Sequence, residues 1–311
     1  MSLTFFTTTD GDVILRAGPE PGSKHDFRVH KFILSLASSV FRDMLAFPQP
    51  PDQTSDEHRL PVVDVLDPPK VLDTILRFIY PGVEPPNIAT LSTLSMLLTT
   101  ADKYNITSIY PALKEVLKAL SPPDSFKAYI IASRFGFLEE AKEAARVART
   151  SDFTFRRPEE IRYISSTDLF RYIQFVAQRE ASGLLTIQDA LGLRPLEQPD
   201  LECDHGAEAR DYYFRLEKTV EEVYIDNPRV MSKDLFTVLD MVPDPPLGCR
   251  PPSRSGEWYY ECDEPLEVAT KCPLQPMTIR RKLADLAEEL AGQNLKLLEE
   301  FFGNGVGRGR Y

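Results

Sequence analysis

The spacing of apolar residues changes period several times along the chain. Asp10-Gly11-Asp12 is a turn signal that runs into Val13-Ile14-Leu15, a short buried strand. Residues 18–25 are turn-forming, with Gly18, Pro19, Pro21 and Gly22 close together. Phe27, Val29 and Lys31 then alternate with Arg28 and His30, which predicts a second strand folded back on the first. From Phe32 the period becomes helical. Phe32, Ile33 and Leu36 share a face, and Val40, Phe41, Met44 and Leu45 continue the apolar content. The Ser38-Ser39 pair ends one short helix and caps the next. Leu60 to Leu66 is apolar and rich in β-branched residues, a third strand. Asp67 ahead of Pro68-Pro69 predicts a helix start with Asp67 as the cap. Val71, Leu72, Ile75, Leu76 and Ile79 follow at helical spacing, and Tyr80-Pro81-Gly82 ends that helix. Residues 90–104 and 108–120 predict two more amphipathic helices.

Pro122-Pro123-Asp124 marks a break. Beyond it, 125–135 and 138–150 predict a helical pair joined at Gly136, followed by helices at 158–163 and 167–180. Residues 121–193 thus form a helical extension of a first domain at 1–120. Residues 194–277 differ in composition: two proline clusters and all four cysteines surround one helix near 207–227. Residues 278–302 form a long helix and 303–311 a flexible, glycine-rich tail. In that last helix Ile279, Leu283, Leu286, Leu290 and Leu297 recur at coiled-coil spacing. Leu295, Leu298 and Phe301 widen the stripe. The pattern leaves open whether this helix packs on its own chain or on a partner helix. The fold class is α+β: a small sheet covered by helices, then a mostly helical carboxy-terminal region.

Composition narrows the function. The 311 residues carry a net charge of −11, which disfavours non-specific binding to nucleic-acid phosphates. No apolar run approaches the ~18 residues of a membrane helix. Met1 to Asp12 has no basic start followed by an apolar stretch, so no signal peptide is expected, and a cytoplasmic or nuclear location follows. No nucleophile elbow or His-Glu-x-x-His pair is present, and the four histidines are scattered at 25, 30, 58 and 205. Glu139-Glu140, Glu159-Glu160 and Glu288-Glu289 read as solvated helix faces. The chain is therefore read as non-enzymatic and without a cofactor. One metal reading stays open. Cys203, His205, Cys249, Cys262 and Cys272 are of the residue types that bind zinc, yet no Cys-x-x-Cys pair occurs, and free thiols are the alternative.

Four blocks in order resemble the BTB/POZ domain. They are Asp10 to Leu15, Phe27 to Leu34, Ser38 to Leu45, and Leu76 to Gly82, the last preceded by the strand Leu60–Leu66. The resemblance spans residues 8–120, and the whole layout is similar to BTB proteins of mushroom-forming fungi. It implies a dimerising interaction fold. Family members pair through the amino-terminal segment and first helix, which points here to Leu3, Phe5, Phe6, Phe32, Leu36 and Phe41. Phe5 and Phe6 have no obvious local partner, whereas Phe32 and Phe41 read equally well as core. A charged pair in the family's dimer groove falls on Asp12 and Lys31, and a solvated surface pair is the alternative. Family members that serve cullin ubiquitin ligases carry a Glu where this chain has Gln49, a departure from that pattern. The expected partners are a second copy of the chain, forming a homodimer, and another protein held by the carboxy-terminal part. A cullin-ligase substrate adaptor and a transcription-regulatory partner are the alternatives to a plain scaffold.

Overall fold

The computed structural model describes residues 6, 10–20, 22, 24–46, 60–149, 158–191, 206–227, 232–242 and 276–303. The chain divides into two units, residues 1–140 and 141–311.

The first unit is built on three strands: β1 (Val13–Ala17), β2 (His25–Val29) and β3 (Val62–Val65). Their order is β2-β1-β3, with β1–β2 antiparallel and β1–β3 parallel. The period of two puts Val13, Leu15 and Ala17 on one face, beside Phe27 and Val29 of β2 and Val63 and Val65 of β3, and all are buried. The other face carries Arg16, Asp26, Arg28 and Asp64 beside the half-buried Ile14 and Val62. Arg16 and Asp26 face each other across β1 and β2 in an ion pair of 2.8 Å. Parallel pairing of β1 with β3 requires a crossover. It is supplied by α1 (Lys31–Ala37) and α2 (Ser39–Ala46).

The same unit holds α3 (Pro69–Ile79), α4 (Leu91–Lys103), α5 (Tyr110–Leu120) and α6 (Ser125–Arg134), with α4 packed on each of the other three. Two side chains, Asp67 and Glu140, differ from the sequence expectation, and the break expected at Pro122-Pro123 is present. Asp67 does not cap α3, whose N-cap is Pro68 with no side-chain bond. Its buried carboxylate instead accepts hydrogen bonds from the Tyr104 hydroxyl and from Lys103 Nζ (2.8 Å) at the end of α4. The Pro122-Pro123 break is a tight turn within the first unit. Asp124 accepts from the Lys127 N–H and starts α6, which packs on α4 and α5. Glu140, in α7 (Leu138–Arg146), is not solvated: it is buried, with Lys114 and Lys118 of α5 at 3.4 and 3.6 Å.

The second unit is helical. It holds α8 (Ser166–Leu191), α9 (Gly206–Asp226), α10 (Ser232–Met241) and α11 (Pro276–Phe302). α8 packs on α9 and α11, and α10 packs on the same two. Leu216, Val220, Leu235, Val238, Leu283 and Leu286 form part of the common core. α11 thus docks on its own chain, which answers the open question: it packs on α8 and α10 with Ile279, Leu283, Leu286, Leu290, Leu297 and Leu298 buried, whereas Leu295 stays exposed. α8 runs through Ser182-Gly183 rather than ending near Glu180, because Gly183 is where the Tyr224 ring seats. A Cβ there would stand 2.3 Å from that ring. α10 lies inside the proline-rich stretch, where the sequence predicted only one helix. Among the described residues no helix is long and apolar enough to cross a membrane.

Candidate self-association surface

α1 is only seven residues long and buries one of them, Leu34. Phe32 and Leu36, one turn apart, point the other way and are 76% and 79% exposed. Together they form an exposed apolar pair, a candidate for an interaction surface.

Two turns of helix are marginal alone, so the surroundings hold α1. Its N-cap, His30, makes no side-chain capping bond. Asp12, just ahead of β1, does the work: its Oδ1 accepts from the Lys31 N–H at 2.7 Å. Asp12 is held in turn by its own N–H, which donates to Val29 O at 3.0 Å. Gly11 makes this approach feasible, since a Cβ there would lie 2.8–2.9 Å from Arg28 and the Val29 backbone. At the other end the Ser38 N–H closes α1 on Leu34 O. The Ser38 Oγ accepts from the Phe41 N–H at 2.9 Å, capping α2, and donates to the Tyr104 carbonyl. One buried hydroxyl therefore fixes both helices to the end of α4.

The structure separates the residues that the sequence grouped. Phe32 and Leu36 are exposed together on α1. Phe41 is core, fully buried and stacked on Tyr104 with ring centres 4.3 Å apart. Phe6 is also core: it packs edge-on against Tyr80 at 5.0 Å and Phe27 at 6.3 Å, and its carbonyl accepts from the Arg28 N–H. Its partners lie some 20 and 70 residues away in sequence, which is why no local pattern revealed them. Asp12 and Lys31 are joined, but through the Lys31 backbone; no ion pair forms between their side chains. His30, between β2 and α1, places Nδ1 3.2 Å from the Tyr80 hydroxyl and Nε2 3.5 Å from Asp10. Leu3, Phe5, Phe47, Gln49, Cys203, His205, Cys249, Cys262 and Cys272 lie outside the described residues.

The cluster behind this surface shifts its own acids. Burial, and then the neighbouring Asp67 carboxylate, raise the Tyr104 phenol well above its ordinary range. Burial and Asp102 push Tyr110, at the start of α5, up to about 12. Both stay neutral at physiological pH, so the cluster is a hydrogen-bonded support. Among the described residues no group of three or more His, Cys, Asp or Glu side chains is placed to hold a metal. Residues 7–121 match the family model of the BTB/POZ domain, a protein-interaction module. No curated protein matches the chain.

Proposed function

We propose that this chain is a non-catalytic scaffold protein that pairs with a second copy of itself through the outer face of α1 and presents its helical unit to another protein. The observation that carries the reading is the exposure of Phe32 and Leu36 on a helix anchored from behind by Asp12 and Ser38. A protein-interaction domain spends such a surface on binding, and a two-fold contact uses the same patch from both copies. Burying each of these side chains contributes about 1.5–3 kcal/mol, and in a symmetric pair each counts twice. Pairing also doubles the copies of the helical unit in one particle, which raises avidity for a repeated partner with no new contact.

Sedimentation equilibrium of the full chain at micromolar concentrations tests this. The wild type is expected at twice its 35.2 kDa mass, and the Phe32→Glu/Leu36→Glu variant at the monomer mass with unchanged circular dichroism. A monomeric wild type overturns the reading.

A further inference from the structure

The support of α1 contains a titratable group. Histidine is the side chain that ordinarily changes charge between about pH 5 and 8, and His30 is the N-cap of α1. The His30 carbonyl accepts from the Leu34 N–H at 3.1 Å and so opens the first turn. The His30 N–H donates to the Tyr80 hydroxyl at 2.7 Å. Tyr80 is the C-cap of α3, and its ring stands edge-on to Phe6 at 5.0 Å. The His30 ring reaches the same phenol oxygen, with Nδ1 3.2 Å from it. α1 buries a single side chain, so each bond at its start counts.

The direction of these bonds says where the ring carries its proton. The phenol oxygen accepts from the His30 N–H, so its own proton points elsewhere. Among the described residues the one acceptor in reach is His30 Nδ1. Nδ1 therefore accepts, and the ring proton sits on Nε2, towards Asp10 at 3.5 Å. A second proton has only Nδ1 to occupy. It turns that acceptor into a donor, aims two donors at one oxygen and leaves the half-buried phenol proton without its acceptor. The charges around this point are Asp10 and Asp12 ahead of β1 and Lys31 at the start of α1. The Asp10 side chain is 72% exposed, so its pairing with an imidazolium offsets little. Asp12 is already engaged by the Lys31 N–H, and the Lys31 ammonium is a like charge next in the chain. We propose that His30 makes self-association acid-sensitive: a proton taken up at Nδ1 breaks the bond from Tyr80, loosens the start of α1 and separates the copies. This regulation rests on the α1 pairing proposed above.

Sedimentation equilibrium of the full chain at about pH 7.5 and about pH 5.5, at one ionic strength, reads this out. The dissociation constant of the wild type is expected to rise about fivefold or more at the lower pH, the worth of one hydrogen bond per copy. General charge works the other way, because added protons ease repulsion between copies that carry −11 each. His30→Asn keeps an oxygen that accepts from the phenol and does not titrate, so this variant is expected to pair equally at both values. Tyr80→Phe removes the bond altogether and is expected to pair weakly at both. Equal pairing of the wild type at the two values overturns the proposal and leaves the α1 reading standing. A wild type monomeric at both overturns the α1 reading and this regulation with it. If His30→Asn loses pairing in acid as the wild type does, another group is responsible and the proposal fails. Ring-nitrogen NMR of the ¹⁵N-histidine-labelled wild type gives a check that needs no dimer. At about pH 7.5 the His30 signals, identified by their loss in His30→Asn, are expected to show Nδ1 without a proton and Nε2 with one. A proton on Nδ1 there overturns the proposal whatever the oligomeric state.

Discussion

Single residues show where this chain tolerates no change. Gly183 lies mid-helix, a position that ordinarily disfavours glycine. Alanine there is better for the helix but drives its methyl into the Tyr224 ring, whose hydroxyl is tied to Arg179 O at 3.1 Å. Gly183→Ala is expected to destabilise the fold by about 1–3 kcal/mol, seen as an earlier denaturant midpoint; a neutral result would mean that the ring moves freely. Arg179 is buried in the same region and donates to the carbonyls of Ala145, Arg146 and Ala148 at the end of α7, with its guanidinium over the Phe175 ring. It caps a helix with a fixed charge. Tyr110 supplies a pH signature. Its folded pKa, about 12, lies above the ordinary value near 10. The unfolded chain therefore loses this proton first, and the stabilisation is complete below pH ~10 and lost as pH rises towards ~12. Denaturant midpoints measured from pH 8 upward should fall beyond ~10, with a shallower fall in Tyr110→Phe.

At the scale of elements, α1 owes its form to groups outside it. A seven-residue helix with one buried side chain has little stability of its own. Asp12 and Ser38 fix its ends, so each acts on the exposed face without belonging to it. Ser38→Ala removes the α2 cap and leaves the Tyr104 carbonyl without that donor. A loss of about 1–2 kcal/mol is expected in equilibrium unfolding. Asp12→Ala is expected to cost about 1 kcal/mol and to weaken self-association in sedimentation although it touches neither Phe32 nor Leu36. Unaltered self-association in that variant would show that α1 needs no anchoring from β1. Asp67 teaches a related point. Its place before two prolines reads as a cap, yet its carboxylate is used by Lys103 and Tyr104, 36 and 37 residues away. A cap is a local competition, and a buried phenol at the end of α4 wins it.

For the whole molecule, charge opposes what the apolar faces favour. Each copy carries −11, so association works against repulsion that salt screens. The screening length falls from about 30 Å at 0.01 M salt to about 8 Å at 0.15 M. Self-association should therefore tighten several-fold over that range in sedimentation. Weakening instead would count against the proposed apolar pairing through Phe32 and Leu36.

The sequence alone determined the three strands, the helices of the first unit and the break between α1 and α2. These rest on neighbours two to four positions apart, and Val13, Leu15, Phe27 and the Ser38 cap are all local in that sense. It also offered Phe32 and Leu36 as candidate interface residues, through the order of four blocks and not through any property of the helix itself. Tertiary structure decided which aromatic residues are free. Phe6 and Phe41 look as available as Phe32 until Tyr80 and Tyr104 arrive from distant helices to cover them. The same holds for Gly183, a helix breaker by composition and a seat for Tyr224 in space, and for Glu140, solvated by its helix pattern and buried by two lysines of α5. Periodicity says which side of an element is apolar, but burial depends on what else in the chain comes to rest against that side.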